Sequence, residues 1–169
     1  MIDLLETQDY LEALELDLRE EIGRSSLEDP VMIGIHRGGV WVAEWLHARL
    51  GIRTPLGRID ISYYRDDFSR VGVHPKVQAS RLPVALEGRN ILLIDDVFYT
   101  GRTIRAALNE LFDYGRPDRV TLGVLIERNG REIPIRPDCR GARIELPEGR
   151  RIKLMGPSPL TLDIQEASR

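Results

Sequence analysis

Apolar residues recur at helical spacing in three stretches of the chain. The first stretch runs from Tyr10 to Ile22 and predicts a helix that Thr7 caps and Gly23 ends. Similar stripes predict helices over 40–50 and about 103–114, each followed by a glycine that suits a helix end. Between these helices lie short runs of consecutive apolar residues, which are typical of strands buried on both faces.

Runs over 31–35, 91–94 and 120–126 predict strands, and alternating apolar and polar residues predict a further strand over 56–64. Because strands and helices alternate along the chain, the pattern predicts an α/β fold with a doubly wound parallel sheet. Prolines break the rest of the chain into shorter extended pieces, over 144–146 and 151–155. We expect a single domain with a core over about 24–127 and a small hood lobe formed by 1–23 and 128–164.

Composition narrows the classes of function. The 169 residues carry a net charge of −3, which argues against a protein that coats nucleic acid through overall basicity. A single cysteine, Cys139, excludes a disulfide within the chain. No apolar run approaches the length that spans a bilayer, and no signal peptide is evident, so we expect a cytoplasmic protein.

The segment with the clearest chemistry follows the apolar run 91–94. Asp95 and Asp96 come at the strand end, where ligands bind in open parallel sheets. The next loop leads into a helix whose first amides point outward and favour an anion such as phosphate. Gly101 would let the backbone approach that phosphate, which requires it to be open to solvent. The residues expected to hold a sugar phosphate are Asp95, Asp96, Val97, Phe98, Tyr99, Thr100, Gly101, Arg102 and Thr103.

Other sites share parts of this pattern. An acid pair at a strand end also occurs in response-regulator receivers, in magnesium sites and in plain surface turns. A receiver carries its acid pair near the chain start, on its first strand, whereas Asp95 lies past the middle. The loop is not a P-loop, because no Gly-Lys-Ser/Thr follows.

The stretch ILLIDDVFYTGRTIRAAL resembles the phosphoribosyl pyrophosphate (PRPP) motif of type I phosphoribosyltransferases. Three further segments resemble the PyrR family of bacterial pyrimidine-operon regulators and uracil phosphoribosyltransferases: IGIHRGGVWVAEWLHARLG, GRIDISYYRDDFS and FDYGRPDRVTLGVLIERNGREIPIRPD. The resemblance spans about 31–152 and implies the type I phosphoribosyltransferase fold. It implies that uracil and PRPP react to give UMP and pyrophosphate with Mg²⁺. It also implies a dimer or higher homo-oligomer.

By the same resemblance, Asp95 and Asp96 would face the ribose hydroxyls, one of them through magnesium, and Arg37 would join them in catalysis. Arg128 and Ile152 would contact the nucleobase, and 65–83 would form a flexible lid. The pyrophosphate loop would consist of His36, Arg37, Gly38 and Gly39. Well-known members read Lys-Thr-Arg-Gly there, so the positive charges are shifted and catalysis is expected to be weak unless Arg37 compensates.

A second hypothesis is a nucleotide-sensing regulator with little or no catalysis, since PyrR proteins bind pyrimidine-operon leader mRNA. A basic cluster late in the chain would contact RNA phosphates or would simply form a solvated face. Its members are Arg136, Arg140, Arg143, Arg150, Arg151 and Lys153. A third hypothesis is a purine phosphoribosyltransferase. Trp41 and Trp45, at helical spacing, favour packing or a subunit contact.

Overall fold

The computed structural model describes residues 6–62 and 80–167. Within these residues, the helices are α1 (Thr7–Arg24), α2 (Gly38–Leu50) and α3 (Arg102–Asp113). The strands in the same part of the chain are β1 (Val31–Ile35), β2 (Gly57–Ile59), β3 (Asn90–Phe98), β4 (Arg119–Arg128), β5 (Cys139–Ile144), β6 (Arg150–Met155) and β7 (Thr161–Glu166). The predicted strand over 56–64 is thus shorter, and 63–64, like most of the expected lid, lies outside the described residues.

Five of these strands form one parallel sheet in the order β2-β1-β3-β4-β5. Successive side chains of β3 point to opposite faces of the sheet. Leu92 and Ile94 therefore lie on one face, where they pack with residues of α1 and α2. Ile91 and Leu93 face the other side, where α3 packs. Helices on both faces confirm the predicted doubly wound α/β fold.

Helix α1 was expected in the hood lobe, but it packs along the sheet. Leu14 and Leu18 are fully buried in the same cluster as Leu92. The Asp17 side chain accepts the backbone N–H of Arg140 on β5, at 2.9 Å. The apolar stripe of α1 therefore covers the β4–β5 half of the sheet, which would otherwise be bare.

Thr7 was expected to cap α1, and this prediction is wrong. The residue before it, Glu6, occupies the cap position, and no side chain caps the helix. Thr7 Oγ1 instead accepts the backbone N–H of Leu162, at 2.9 Å. Leu162 lies on β7, so Thr7 ties the start of α1 to the β6–β7 hairpin.

The segment beyond β4 also differs from expectation. Strand β5 covers Cys139–Ile144, not 144–146, and pairs parallel with β4 as the fifth strand of the main sheet. Buried and exposed residues follow no regular order along β5, because an edge strand needs no continuous apolar run. Strands β6 and β7 form a separate sheet, an antiparallel hairpin. The hood proper is this hairpin, which contacts β3.

A buried carboxylate ties the end of α1 to the start of β4. Glu21 accepts hydrogen bonds from Ser25 Oγ at 2.6 Å and from Arg119 at 2.7 Å, and it pairs with Arg24. The hydrogen bond from Ser25, followed by that from Arg24, lowers the pKa of Glu21 below the ordinary value of 4.5. The charge of Glu21 is therefore stabilising in the folded state.

We expect Glu21→Gln to lower the free energy of unfolding by about 1–2 kcal/mol at pH 7, because the arginines lose their anionic partner. Since the folded pKa lies below 4.5, the advantage of the wild type is complete above pH 4.5 and disappears as the pH falls through the lowered pKa. Urea titrations across that range measure it. The exposed Glu20→Gln is the control and should change stability by less than about 0.5 kcal/mol. An equal effect of both substitutions would contradict the prediction.

Candidate active site

The acid pair lies within the carboxyl end of β3 rather than after it. Asp95 is buried and Asp96 is half-buried. Asp95 Oδ1 accepts the Asp96 amide at 2.9 Å, and Asp96 Oδ1 accepts the amide of Val97 at 2.8 Å. These local bonds orient both carboxylates at the edge of the sheet where its strands end.

The predicted pyrophosphate loop packs directly against this pair. A Cβ atom on Gly38 would overlap Asp96 Oδ2, and one on Gly39 would lie 2.6 Å from the carbonyl oxygen of Ile94. Both glycines form the start of α2, so only a bare backbone lets this helix approach β3 so closely. Two segments far apart in sequence are thereby brought into contact.

The loop's positive charge depends on two neighbouring residues joined by a cis peptide bond. His36 is half-buried and donates its backbone N–H to Ile59 at 2.9 Å. Burial lowers the pKa of His36 below 6.5, with nearby Asp60 acting in the opposite direction. His36 is therefore neutral at pH 7, and the exposed Arg37 carries the positive charge of the loop.

The loop after β3 bends into α3 as the sequence predicted. Gly101 adopts a φ of 94°, a left-handed conformation that favours glycine. The Arg102 amide donates to Thr100 Oγ1 at 3.2 Å, and α3 begins there. The amides of the first helical turn, including that of Thr103, have no partner within the helix, so this bend has the geometry that favours an anion.

The expectation that Gly101 is open to solvent is wrong. Gly101 is buried, and a Cβ atom there would lie 2.8 Å from Ile133 Cγ1 and 3.4 Å from Phe98 Cζ. Glycine is required at this position by the left-handed turn and by the packing of Ile133, and not by the close approach of a ligand. Tyr99 and Arg102 are exposed, while Thr100 and Thr103 are half-buried, so the flanks of the bend remain accessible.

The two expected nucleobase residues lie at the hood. The guanidinium of Arg128 stacks on the Tyr99 ring, 3.9 Å from its centroid, and donates to the carbonyl oxygen of Arg150 at 3.0 Å. Ile152 lies on β6, and its side chain is buried in the core. Arg128 thus joins the bend to the hairpin, while Ile152 has only its backbone to offer a ligand.

The members of the basic cluster differ in their contacts. Three of its members have polar partners: Arg140 pairs with Glu127, Arg150 with Glu166 at 4.0 Å, and Arg151 donates to Gln165 at 3.2 Å. Arg136 and Arg143 instead line a cavity of about 210 Å³ at the carboxyl ends of β4 and β5. The full lining is Glu127, Arg128, Asn129, Gly130, Arg131, Arg136 and Arg143.

Sequence reasoning missed Arg131 in this cavity. It lies in the quoted segment VLIERNGREIPIRPD, between Arg128 and Arg136, so the spacing of arginines was a signal that could have been used. Lys153, the remaining member of the cluster, is exposed on β6.

A phosphoribosyl transferase domain model matches residues 7–147 of the chain. A bifunctional protein PyrR of Pseudomonas entomophila strain L48 is 51% identical over 94% of this chain and 92% of its own length. The chain belongs to the PyrR family of phosphoribosyltransferases. A bifunctional protein PyrR of Nitrosococcus oceani is 53% identical over 90% of this chain and 87% of its own length.

Solved structures agree with the fold of this PyrR-family chain. A purine phosphoribosyltransferase from Pyrococcus horikoshii superposes with a TM-score of 0.59 and 26% identity, covering 80% of each chain. A hypoxanthine phosphoribosyltransferase from Staphylococcus aureus gives a TM-score of 0.64 at 20% identity, covering 88% of this chain and 79% of its own. The second match, at that identity, speaks for the fold alone.

Magnesium is the metal that the phosphoribosyltransferase family implies. Among residues 6–62 and 80–167, no group of three or more His, Cys, Asp and Glu side chains is arranged to hold a metal ion. Mg²⁺ commonly takes one or two carboxylates together with substrate phosphates and water. Asp96, half-buried at the strand end beside Asp95, fits that limited role.

None of the helices in the described part is long and apolar enough to cross a membrane.

The contact between Gly38 and Asp96 leads to a prediction about stability. We expect Gly38→Ala to lower the free energy of unfolding by about 1–3 kcal/mol, because the added methyl group displaces the carboxylate or the helix. Gly23→Ala is the matched control: its Cβ would meet nothing within 4 Å, and alanine favours the helix. Urea titrations of both variants test this. An unchanged free energy of unfolding in Gly38→Ala would show that Gly38 does not pack tightly against Asp96.

Proposed function

We propose that the protein is a uracil phosphoribosyltransferase that converts uracil and PRPP into UMP and pyrophosphate. The observation that carries this proposal is the packing of Gly38 and Gly39 against Asp95 and Asp96, in a chain whose curated relatives are named bifunctional PyrR. That packing sets a cationic loop beside two carboxylates, as transfer from a sugar pyrophosphate requires. The family resemblance also favours a role in regulating pyrimidine biosynthesis genes.

In the proposed reaction, uracil N1 forms a bond to ribose C1 and gives up its proton to solvent, while the bond from C1 to pyrophosphate breaks and its electron pair leaves with pyrophosphate. The transition state resembles an oxocarbenium ion, so catalysis depends on placing the reactants and on charge. Asp95 and Asp96 would hold the ribose hydroxyls, and the amides at the start of α3 would hold the 5′-phosphate. Arg37 would face the leaving pyrophosphate. Magnesium, when bound, supplies further neutralisation of the pyrophosphate charge.

The charge of the pyrophosphate loop bears on the expected rate. With His36 neutral at pH 7, Arg37 would stabilise the leaving group without a second cation from 36–39. This supports the expectation of weak activity. A lid over the site would exclude water that otherwise hydrolyses PRPP, and the segment expected to form it lies mostly outside the described residues.

We expect the wild type to form UMP from uracil, PRPP and Mg²⁺, and Asp96→Asn to lower kcat/KM by about 10²- to 10³-fold, because a charge-stabilising group is lost. Asp113→Asn, at the exposed end of α3, is the control and should leave the rate unchanged. Competition between uracil and hypoxanthine distinguishes the purine alternative. A wild type that binds UMP yet forms none would leave the regulator without catalysis as the better hypothesis.

The arginine-lined cavity supports the second role, contact with leader RNA. Arg131, Arg136 and Arg143 converge there, and Glu127 is drawn toward Arg140. Arginines grouped on one surface suit RNA phosphates, whose binding releases counterions. The paired arginines of the basic cluster, Arg140 and Arg150, fit this role less well than the cavity does.

We expect a pyrimidine-operon leader RNA to bind more tightly at low salt and in the presence of UMP. Replacing Arg136 and Arg143 together by glutamine should reduce the slope of log affinity against log salt by about 2, one for each lost phosphate contact. Arg116→Gln, an exposed arginine beyond the opposite end of the sheet, serves as control. Gel shifts measure this, and the absence of any shift at low salt would contradict RNA binding.

We further infer that the protein forms a dimer or higher homo-oligomer, as the family resemblance implies. The tryptophans that favoured such a contact are partly used within the chain. Trp41 packs beside Gly156 and Trp45 lies 4.4 Å beneath the guanidinium of Arg49. Phe112 and Tyr114, at the end of α3, are more exposed and offer an alternative apolar surface.

A further inference from the structure

The last residue of β4 and the five residues that follow it lie alongside the phosphate-binding bend and contact it residue by residue. We call this segment, residues 128–133, the brace. The Tyr99 ring lies against Arg128, and a Cβ atom on Gly130 would overlap it. The Glu132 amide donates to the carbonyl oxygen of Thr100 at 3.0 Å.

The contacts continue into the start of α3. Ile133 covers Gly101, and the carboxylate of Glu132 pairs with Arg102 at 3.0 Å. Every residue from 99 to 102 therefore contacts the brace. The bend is held from its side by a second piece of chain and does not depend on its own turn geometry alone.

The brace also holds the hood hairpin. The side-chain amide of Asn129 makes two hydrogen bonds with Leu146, donating to its carbonyl at 3.1 Å and accepting its N–H at 2.8 Å. Arg128 donates to the carbonyl of Arg150, the first residue of β6. One short segment thus contacts both the bend and the base of the hairpin.

Arg128 is the residue in this segment that touches both sides at once. Its guanidinium is planar, so one face stacks on Tyr99 while its edge donates to Arg150. Its Nε is buried and has no acceptor in the described part of the chain, so packing rather than a full set of hydrogen bonds fixes its position. A lysine in its place would keep the charge but would lose the planar stacking on Tyr99 and the directed hydrogen bond to the Arg150 carbonyl.

We propose that Arg128 is a positioning residue, which sets the separation between the phosphate-binding bend and the hood hairpin through Tyr99 and Arg150. This rests on the proposed function, in which the bend holds the 5′-phosphate of a nucleotide, and on the expectation that Ile152 of the hairpin contacts its base. A nucleotide bridges both parts, so its affinity depends on their separation. Arg128 acts on that affinity through Tyr99 and not by binding the nucleotide itself.

The test is a double-mutant cycle in UMP affinity, measured by calorimetry on the full chain. Arg128→Lys and Tyr99→Leu should each weaken UMP binding about 5-fold, which corresponds to ~1 kcal/mol. The double variant should be no weaker than either single variant, because both remove the same contact. Tyr99→Phe keeps the ring and should lose less UMP affinity than Tyr99→Leu.

The matched control is Arg119→Lys, at the opposite end of the same strand. Arg119 pairs with Glu21, so this variant should shift the thermal midpoint without changing UMP affinity. Additive losses in the double variant would show that Arg128 contacts UMP directly and would overturn the proposal. So would unchanged affinity in Arg128→Lys. A wild type that fails to bind UMP would instead refute the proposed function, which keeps the two failures distinct.

Discussion

The close approach of α2 to the end of β3 is the constraint on which the site depends. Two adjacent glycines remove every side-chain atom from the contact, so the start of the helix rests on the backbone of Ile94 and beside Asp96. Without that approach, the loop carrying Arg37 would stand away from the carboxylates and a sugar pyrophosphate could not touch both. The central position of β3 in the sheet then supplies rigidity, because β1 and β4 pair with it on either side.

The sequence predicted the parts of the molecule whose chemistry is local. The run 91–94 identified the central strand, and the stripe from Ile104 to Leu111 identified α3. Family resemblance placed 36–39 near the site, and the packing of Gly38 against Asp96 puts both segments together. The role of Gly101 was misjudged because Ile133, which covers it, lies 32 positions further along and leaves no local trace.

Other features escaped prediction because partners distant in sequence decide them. Strand β5 has an edge strand's mixed pattern, and only its pairing with β4 identifies it. The stripe on α1 showed that the helix is amphipathic but not which surface it covers. Thr7 is a residue type that often caps helices, but its hydroxyl oxygen accepts the backbone N–H of Leu162 instead. Nothing in the sequence distinguished the residues of the basic cluster from one another. In the structure, Glu127 and Glu166 pair with two of them, Arg140 and Arg150.

The packing of α1 on β5 has a consequence for how the chain acquires its structure. The residues that meet there, Asp17 and Arg140, are 123 positions apart. During synthesis from the amino end, the apolar stripe of α1 emerges well before β5, the strand on which it packs. Contacts of such long range slow folding, because a large loop must close before they form. The contacts between α1 and β5 therefore form only after residues 139–144 have been synthesised, although α2 and β3 can cover part of the stripe earlier.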